Sequence, residues 1–242
     1  MLNSDELKRI ALEVGFDACG VARAEALTDE EYPLRRWLAR GWHGDLAYME
    51  RNADKRMDPR LLLPGARSVI CCVSAYGPPD ATRNDGVAAY AQRREYHEVV
   101  KNMLHALRER LGIDGKVCCD TVPISDKHWA ARAGLGWIGR HTLLVTPQWG
   151  SWVNLGEIVT TEICDTYDSP VASGCYDCNL CVDACPNKAI APLDTPDSPY
   201  MIDVRRCTAY YTTHHPQAIP PDIDAHGYTQ GCDICQLACP YN

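Results

Sequence analysis

The 242-residue sequence has no apolar run long enough to span a bilayer, and its first residues read as a soluble amphipathic helix rather than a secretory signal. These absences exclude a membrane-spanning helix and argue against a disulfide framework for the fourteen cysteines, so a cytoplasmic protein is expected. Regular βαβ alternation is also missing, and with it the expectation of a doubly wound sheet; the mixed helices and strands predict an α+β fold. Cations are scarce in the last third. Residues 166–242 hold nine Asp against Lys188, Arg205 and Arg206, so most of the net charge of −8 lies there. That segment also lacks long apolar runs, and bound metal must stabilise it. A boundary near residue 165 is therefore expected, with residues 1–165 forming an ordinary core and residues 166–242 a smaller metal-dependent domain.

What that segment does contain is thiol. Cys175, Cys178, Cys181 and Cys185 form a C-x2-C-x2-C-x3-C-P run, and Cys207, Cys232, Cys235 and Cys239 follow. In two-cluster ferredoxins the fourth cysteine of such a run ligates the other cluster. Crossed ligation gives Cys175, Cys178, Cys181 and Cys239 to one 4Fe-4S cluster and Cys185, Cys207, Cys232 and Cys235 to the second, with none left over. Zinc is the alternative, but zinc modules usually supply two separated pairs of ligands, whereas successive x2 steps wrap a cube corner by corner. The remaining Cys19, Cys71, Cys72, Cys118, Cys119 and Cys164 read as buried apolar residues. Neighbours on a strand point to opposite faces, so neither adjacent pair can present both thiols to one small site.

Along the chain, Ser4 is a plausible N-cap for a helix ending at Gly15. Residues 17–22, 68–74 and 116–119 read as strands, residues 94–111 as a helix stopped by Gly112, and residues 126–133 as a short helix with Asp126 as its cap. Residues 142–146 and 151–161 suggest a hairpin about a 147–150 turn. The G-L-G-W-I-G stretch at 134–139 follows a helix and leads into a strand, the wrong context for a dinucleotide fingerprint; its glycines make either a tight connection or a close backbone approach. Residues 35–67 carry eight cations against four acids, which suits either phosphate contact or a solvated helix face with ion pairs.

The segments 43–70, 90–97, 119–160, 175–190, 203–207 and 231–242 together resemble the epoxyqueuosine reductases, in order and over nearly the whole chain. That resemblance implies a nitroreductase-like cobalamin-binding domain, similar to that of reductive dehalogenases, followed by a ferredoxin-like domain with two 4Fe-4S clusters. It further implies removal of the epoxide oxygen from epoxyqueuosine at the tRNA wobble position, with cobalamin as cofactor. Asp120 matches the family's proton donor, and a carboxyl in a partly desolvated pocket can serve as a general acid near neutrality. Read alone, an Asp before Thr-Val-Pro is a turn or cap residue. Asp126 is the runner-up acid, although its position ahead of Lys127, His128 and Trp129 reads better as a helix N-cap. Tyr90, Tyr96 and His97 match a family segment able to line the substrate or corrin face, although a helical histidine by itself is more often structural. Gly134, Gly136, Trp137, Gly139, Arg140, His141 and Thr142 are the cobalamin-loop candidates.

Family members usually continue into a helical-repeat domain that helps grip tRNA, whereas this sequence stops at Asn242. The implied partners are a tRNA anticodon stem-loop or a free modified nucleoside, and an external electron donor such as a flavodoxin or ferredoxin. Any phosphate contacts then fall to the 35–67 cations, Arg93, Arg94 and Arg140. The rival readings are an electron-transfer protein and a cobalamin carrier or sensor, each without its own epoxide substrate.

Overall fold

The computed structural model describes every residue except 84, 94, 196, 197 and 215–217. In chain order the elements are α1 (Ser4–Val14), β1 (Ala18–Arg23), α2 (Thr28–Ala39), α3 (Ala47–Arg51), α4 (Ala53–Met57), β2 (Ser68–Ala75), α5 (Tyr96–Leu111), β3 (Lys116–Cys118) and α6 (Asp126–Arg132). They continue with β4 (Trp137–Ile138), β5 (Leu144–Val145), β6 (Val153–Thr160), α7 (Leu180–Ala184), β7 (Ile190–Pro192), β8 (Tyr200–Ile202), α8 (Thr208–Thr213) and α9 (Ile234–Leu237). The fold is α+β. Its central sheet runs β1-β2-β6-β3, antiparallel at every pairing. Among the described residues no helix is long and apolar enough to cross a membrane.

Alternation along the strands divides the interior. Ile70 and Cys72 face α1 and α5, where Leu7, Ile10, Val100, Leu104 and Leu107 bury an apolar layer. Val69 and Cys71 face the other way, onto Trp129 of α6 and Leu34 and Trp37 of α2. Leu193, Val204 and Tyr210 of the cysteine-rich segment join this second layer, and the Trp37 indole donates to the Ile202 carbonyl at 2.6 Å. The adjacent cysteines thus part to opposite faces. Across strands, however, Cys19 and Cys72 are register partners with sulfurs 3.8 Å apart.

Several local expectations are corrected. Asn3, not Ser4, caps α1, accepting from the Glu6 N–H at 2.8 Å, while the Ser4 N–H donates to Asp165. Ser125 occupies the cap position of α6, its hydroxyl turned to His128 Nδ1 rather than to a backbone N–H, and Asp126 lies in the first turn. Helix α5 begins at Tyr96, where the Glu95 side chain accepts from the His97 N–H; Arg94 lies outside the described residues. The 147–150 turn forms, bridged between Thr146 and Gly150, but its arms do not pair as a long hairpin. Instead β5 folds back on β4, and β6 departs to pair with β2 and β3. Gly136 permits the fold-back, because a Cβ there would stand 2.2 Å from the Val145 carbonyl oxygen.

Candidate active site and thiol pocket

A cavity of about 740 Å³ opens between α2, the 46–57 segment, the start of α6, the 138–142 loop and strand β8. Its walls are largely apolar, from Leu34, Trp37, Met49, Met57, Ile138 and Ile202. Burial shifts two of the polar groups on it. Burial, with help from Lys127 and Arg132, pulls His128 down to about 3, and Ser125 bonds its Nδ1 at 2.7 Å. Burial likewise lowers Lys127 to about 8, and its ammonium donates to the Thr142 carbonyl at 2.6 Å. Just behind the wall, His141 is buried and lowered to about 4.

Of the glycine-loop candidates, Gly139, Arg140 and Thr142 line this cavity. Gly134, Gly136 and Trp137 meet the chain itself, and His141 lines the smaller thiol pocket. Gly134, at φ 72, packs under the Ser169 carbonyl, and Trp137 meets Tyr241 edge-on at 4.9 Å. Among the described residues two cavity-wall atoms, Arg56 Nε and Glu30 Oε2, are buried without a hydrogen-bond partner, Glu30 Oε2 lying 3.8 Å from Arg132 Nη2. An apolar chamber with unmet donors and acceptors on its wall suits a large neutral cofactor fringed with amides.

Asp120 stands beyond this wall, on the turn after β3, in a left-handed backbone conformation with φ 54. Such a conformation in a non-glycine residue costs energy and is concentrated at functional sites. Its Oδ2 lies 2.8 Å from His97 Nε2, and the His97 Nδ1 meets Glu95. Burial opposes charge on His97, but the bonds to Asp120 and Glu95 outweigh it and raise the imidazole above its ordinary value. Tyr96 stacks on His97 with centroids 4.0 Å apart, and Tyr90 meets Tyr96 edge-on at 6.5 Å. The four family-matched residues 90, 96, 97 and 120 therefore form one cluster, separate from the glycine loop.

The cysteines gather in two groups. Cys175, Cys178, Cys181 and Cys239 line one small pocket together with Arg140, His141 and Tyr241. Burial raises the Cys232 thiol to about 11, and Cys207 and Cys185 add to the rise; the Cys235 thiol is raised by burial and by the same neighbours together with Cys232. Cys175 and Arg140 line the large cavity as well as the thiol pocket. Arg140 also donates to the Tyr176 carbonyl at 2.8 Å and contacts Asn179, fastening the first cysteine loop to the cavity wall.

Four of the eight 35–67 cations form ion pairs. Arg35 meets Glu31 and Asp54, Arg36 and Arg40 share Asp194, and Arg60 meets Asp58. Sequence reasoning missed Arg56, Lys127 and His128 as cavity residues, and missed the contribution of β8 altogether. Only the run of apolar residues at 200–202, isolated in a polar segment, hinted at the last.

Comparison with known proteins adds the following. Residues 56–121 match the family described as epoxyqueuosine reductase QueG, DUF1730, and residues 174–242 match the 4Fe-4S double cluster binding domain. An epoxyqueuosine reductase of Cellulophaga algicola is 37% identical over 99% of this chain and 79% of its own length. A crystal structure of epoxyqueuosine reductase with an epoxyqueuosine-modified tRNA-Tyr stem loop superposes with a TM-score of 0.85 at 30% identity, covering 98% of this chain and 64% of that one. The catabolic reductive dehalogenase NpRdhA shares the fold at a TM-score of 0.62 and 16% identity, over 98% of this chain and 31% of that one.

Proposed function

The chain belongs to the epoxyqueuosine reductase family, and from that premise we propose that it reduces epoxyqueuosine in a tRNA anticodon stem-loop to queuosine. Two 4Fe-4S clusters, ligated in the crossed pattern of Cys175, Cys178, Cys181 with Cys239 and Cys185 with Cys207, Cys232, Cys235, carry the electrons. Cobalamin, when bound in the large cavity, supplies a low-potential centre for the two-electron removal of oxygen. The observation that carries this reading is the position of Cys175, on the wall of the cavity and in the thiol pocket at once, so that electrons pass between them without crossing solvent.

The chain's own residues hold, exclude water and move protons. Gly139, Arg140 and Thr142 present backbone and guanidinium to the cofactor, Trp37, Met49 and Ile202 exclude water, and Arg56 and Glu30 offer their unmet polar atoms. His97 and Asp120 together carry one transferable proton, with Tyr90 and Tyr96 forming the aromatic side of the substrate's berth. An external flavodoxin or ferredoxin supplies the electrons.

Anaerobic protein is expected to hold close to eight iron per chain, on the order of two cubanes. Cys178→Ala should cost one cluster and Cys207→Ala the other; stoichiometric zinc would refute the assignment. The substrate is tested by giving reduced holoprotein the modified stem-loop and, separately, the free nucleoside. Queuosine from the stem-loop supports the reading, product from the nucleoside alone shifts the substrate to the free form, and product from neither rejects it.

A further inference from the structure

Glu157 sits in the middle of β6, with Cys71 of β2 and Cys118 of β3 as its register partners. It is fully buried, and among the described residues neither of its carboxyl oxygens receives a hydrogen bond from an N–H or ordinary O–H donor. What it meets is another acid, since the Asp126 carboxyl of α6 lies within hydrogen-bonding contact. Two ionised carboxylates in that position repel, whereas one proton between them makes a hydrogen bond. Burial first, and then the charge of Asp126, raise Glu157 well above the ordinary carboxylate range, so Glu157 is the member that donates.

The surroundings leave that proton nowhere else to go. Cys71 from β2 and Cys118 from β3, its register partners, share its face as thiols kept neutral by burial, and Cys72 and Cys119 are raised likewise on the opposite face. Facing Asp126 are Arg56 from α4, Asp120 from the turn after β3, and Lys127 beside it. Asp126 itself is not on the cavity wall, but its chain neighbours Ser125, Lys127 and His128 are, and among the described residues its Oδ1 is shielded from solvent without a hydrogen-bond donor.

We propose that Glu157 and Asp126 form a proton store behind the cavity wall, with Asp126 relaying the second proton of the reduction. The inference rests on the reaction proposed above. Converting an epoxide to an alkene breaks both C–O bonds, forms the C=C bond, consumes two electrons and two protons and releases water. The electrons come from the clusters, reduced by the external donor. One proton comes from the His97–Asp120 pair. The other leaves Glu157, is taken up by Asp126 and is passed into the cavity, leaving Glu157 as an anion until solvent restores its proton. Both acids touch no substrate and are positioning residues.

The test uses wild-type holoprotein with the Glu157→Gln and Asp126→Asn variants, which keep shape and size. Infrared spectra of the wild type at neutral pH should show the carbonyl band of a protonated carboxylic acid, shifting in D2O and absent from Glu157→Gln. Both variants should keep their cluster and cobalamin spectra while turnover on the modified stem-loop falls on the order of 10²-fold, the usual worth of a positioned proton source. The wild-type decline in rate as pH rises through the Glu157 range should vanish in Glu157→Gln. A wild type without the band overturns the proposal, as do variants with undiminished turnover and an unaltered pH profile. The band needs no substrate, so a wild type that shows it but makes no queuosine loses the substrate reading and keeps the proton pair.

Discussion

The two faces of the central sheet are built from alternate residues of the same strands, yet they do different work. Under α1 and α5 the layer is Leu7, Ile10, Ile70, Val100, Leu104 and Leu107, with no carboxyl in it. Under α6 the same strands contribute Glu157 and Cys118, and the helix above them carries Asp126 and borders the cavity. The first face buries polar groups such as Ser68 and Thr160 only where their hydroxyls donate to a carbonyl. The other, apolar as well, also holds a buried acid that among the described residues no N–H donor satisfies. A single alternating pattern therefore separates stability from function at the scale of one residue step.

Substitutions on the two faces should separate the two properties. Leu104→Ala removes a fully buried side chain of the α5 face and should destabilise by about 2–5 kcal/mol in chemical denaturation. Turnover per folded molecule should not change. Asp120→Asn, on the working side, should do the reverse, lowering turnover on the order of 10²-fold or more while the denaturation midpoint stays put. A variant on either side that moved both properties together would break the comparison.

A smaller effect distinguishes the acid itself. Glu157 is raised in the folded protein, so above its ordinary value of 4.5 the unfolded chain releases a proton that the folded chain keeps. Stability contributed by the protonated pair is thus complete below that value and drains away as pH rises towards the folded value. Glu157→Gln cannot titrate, and its advantage over wild type should grow with pH above 4.5 by at most about 1.4 kcal/mol per unit. Urea titrations across that window measure it. Parallel curves would place the proton on another group.

Much of this architecture is legible in local sequence. Helix α1, strands β1 to β3 and helix α5 follow from short-range periodicity, and Cys175, Cys178, Cys181 and Cys239, grouped by their spacing, line one pocket. Helix α2 is harder to read. Pro33 interrupts it, and its buried residues Leu34 and Trp37 are spaced for a surface that arrives from the 193–210 segment. Glu157 within Leu-Gly-Glu-Ile-Val gives no local sign of its partner, since Asp126 lies on another element and resembles a cap. Gly134 and Gly136 attract attention as cofactor-binding glycines, yet what sits against them is this chain's own backbone, at Ser169 and Val145. Local pattern reports secondary structure and metal spacing; close approach between distant segments leaves little trace in either partner alone.

The first thiol pocket draws Cys175, Cys178 and Cys181 together with Cys239. An inorganic core held by all four ties off the intervening chain as a loop, and Met201 and Ile202, which wall the cavity, lie inside that loop. Cys185 and Cys207, proposed ligands of the second core, close a shorter loop around the same two residues, so opening the segment takes the loss of both cores and restores entropy on the order of 4 kcal/mol. Oxidative loss of both would therefore do two kinds of damage at once, cutting the electron supply and loosening the chamber wall, so that reassembly must rebuild a tether as well as a wire.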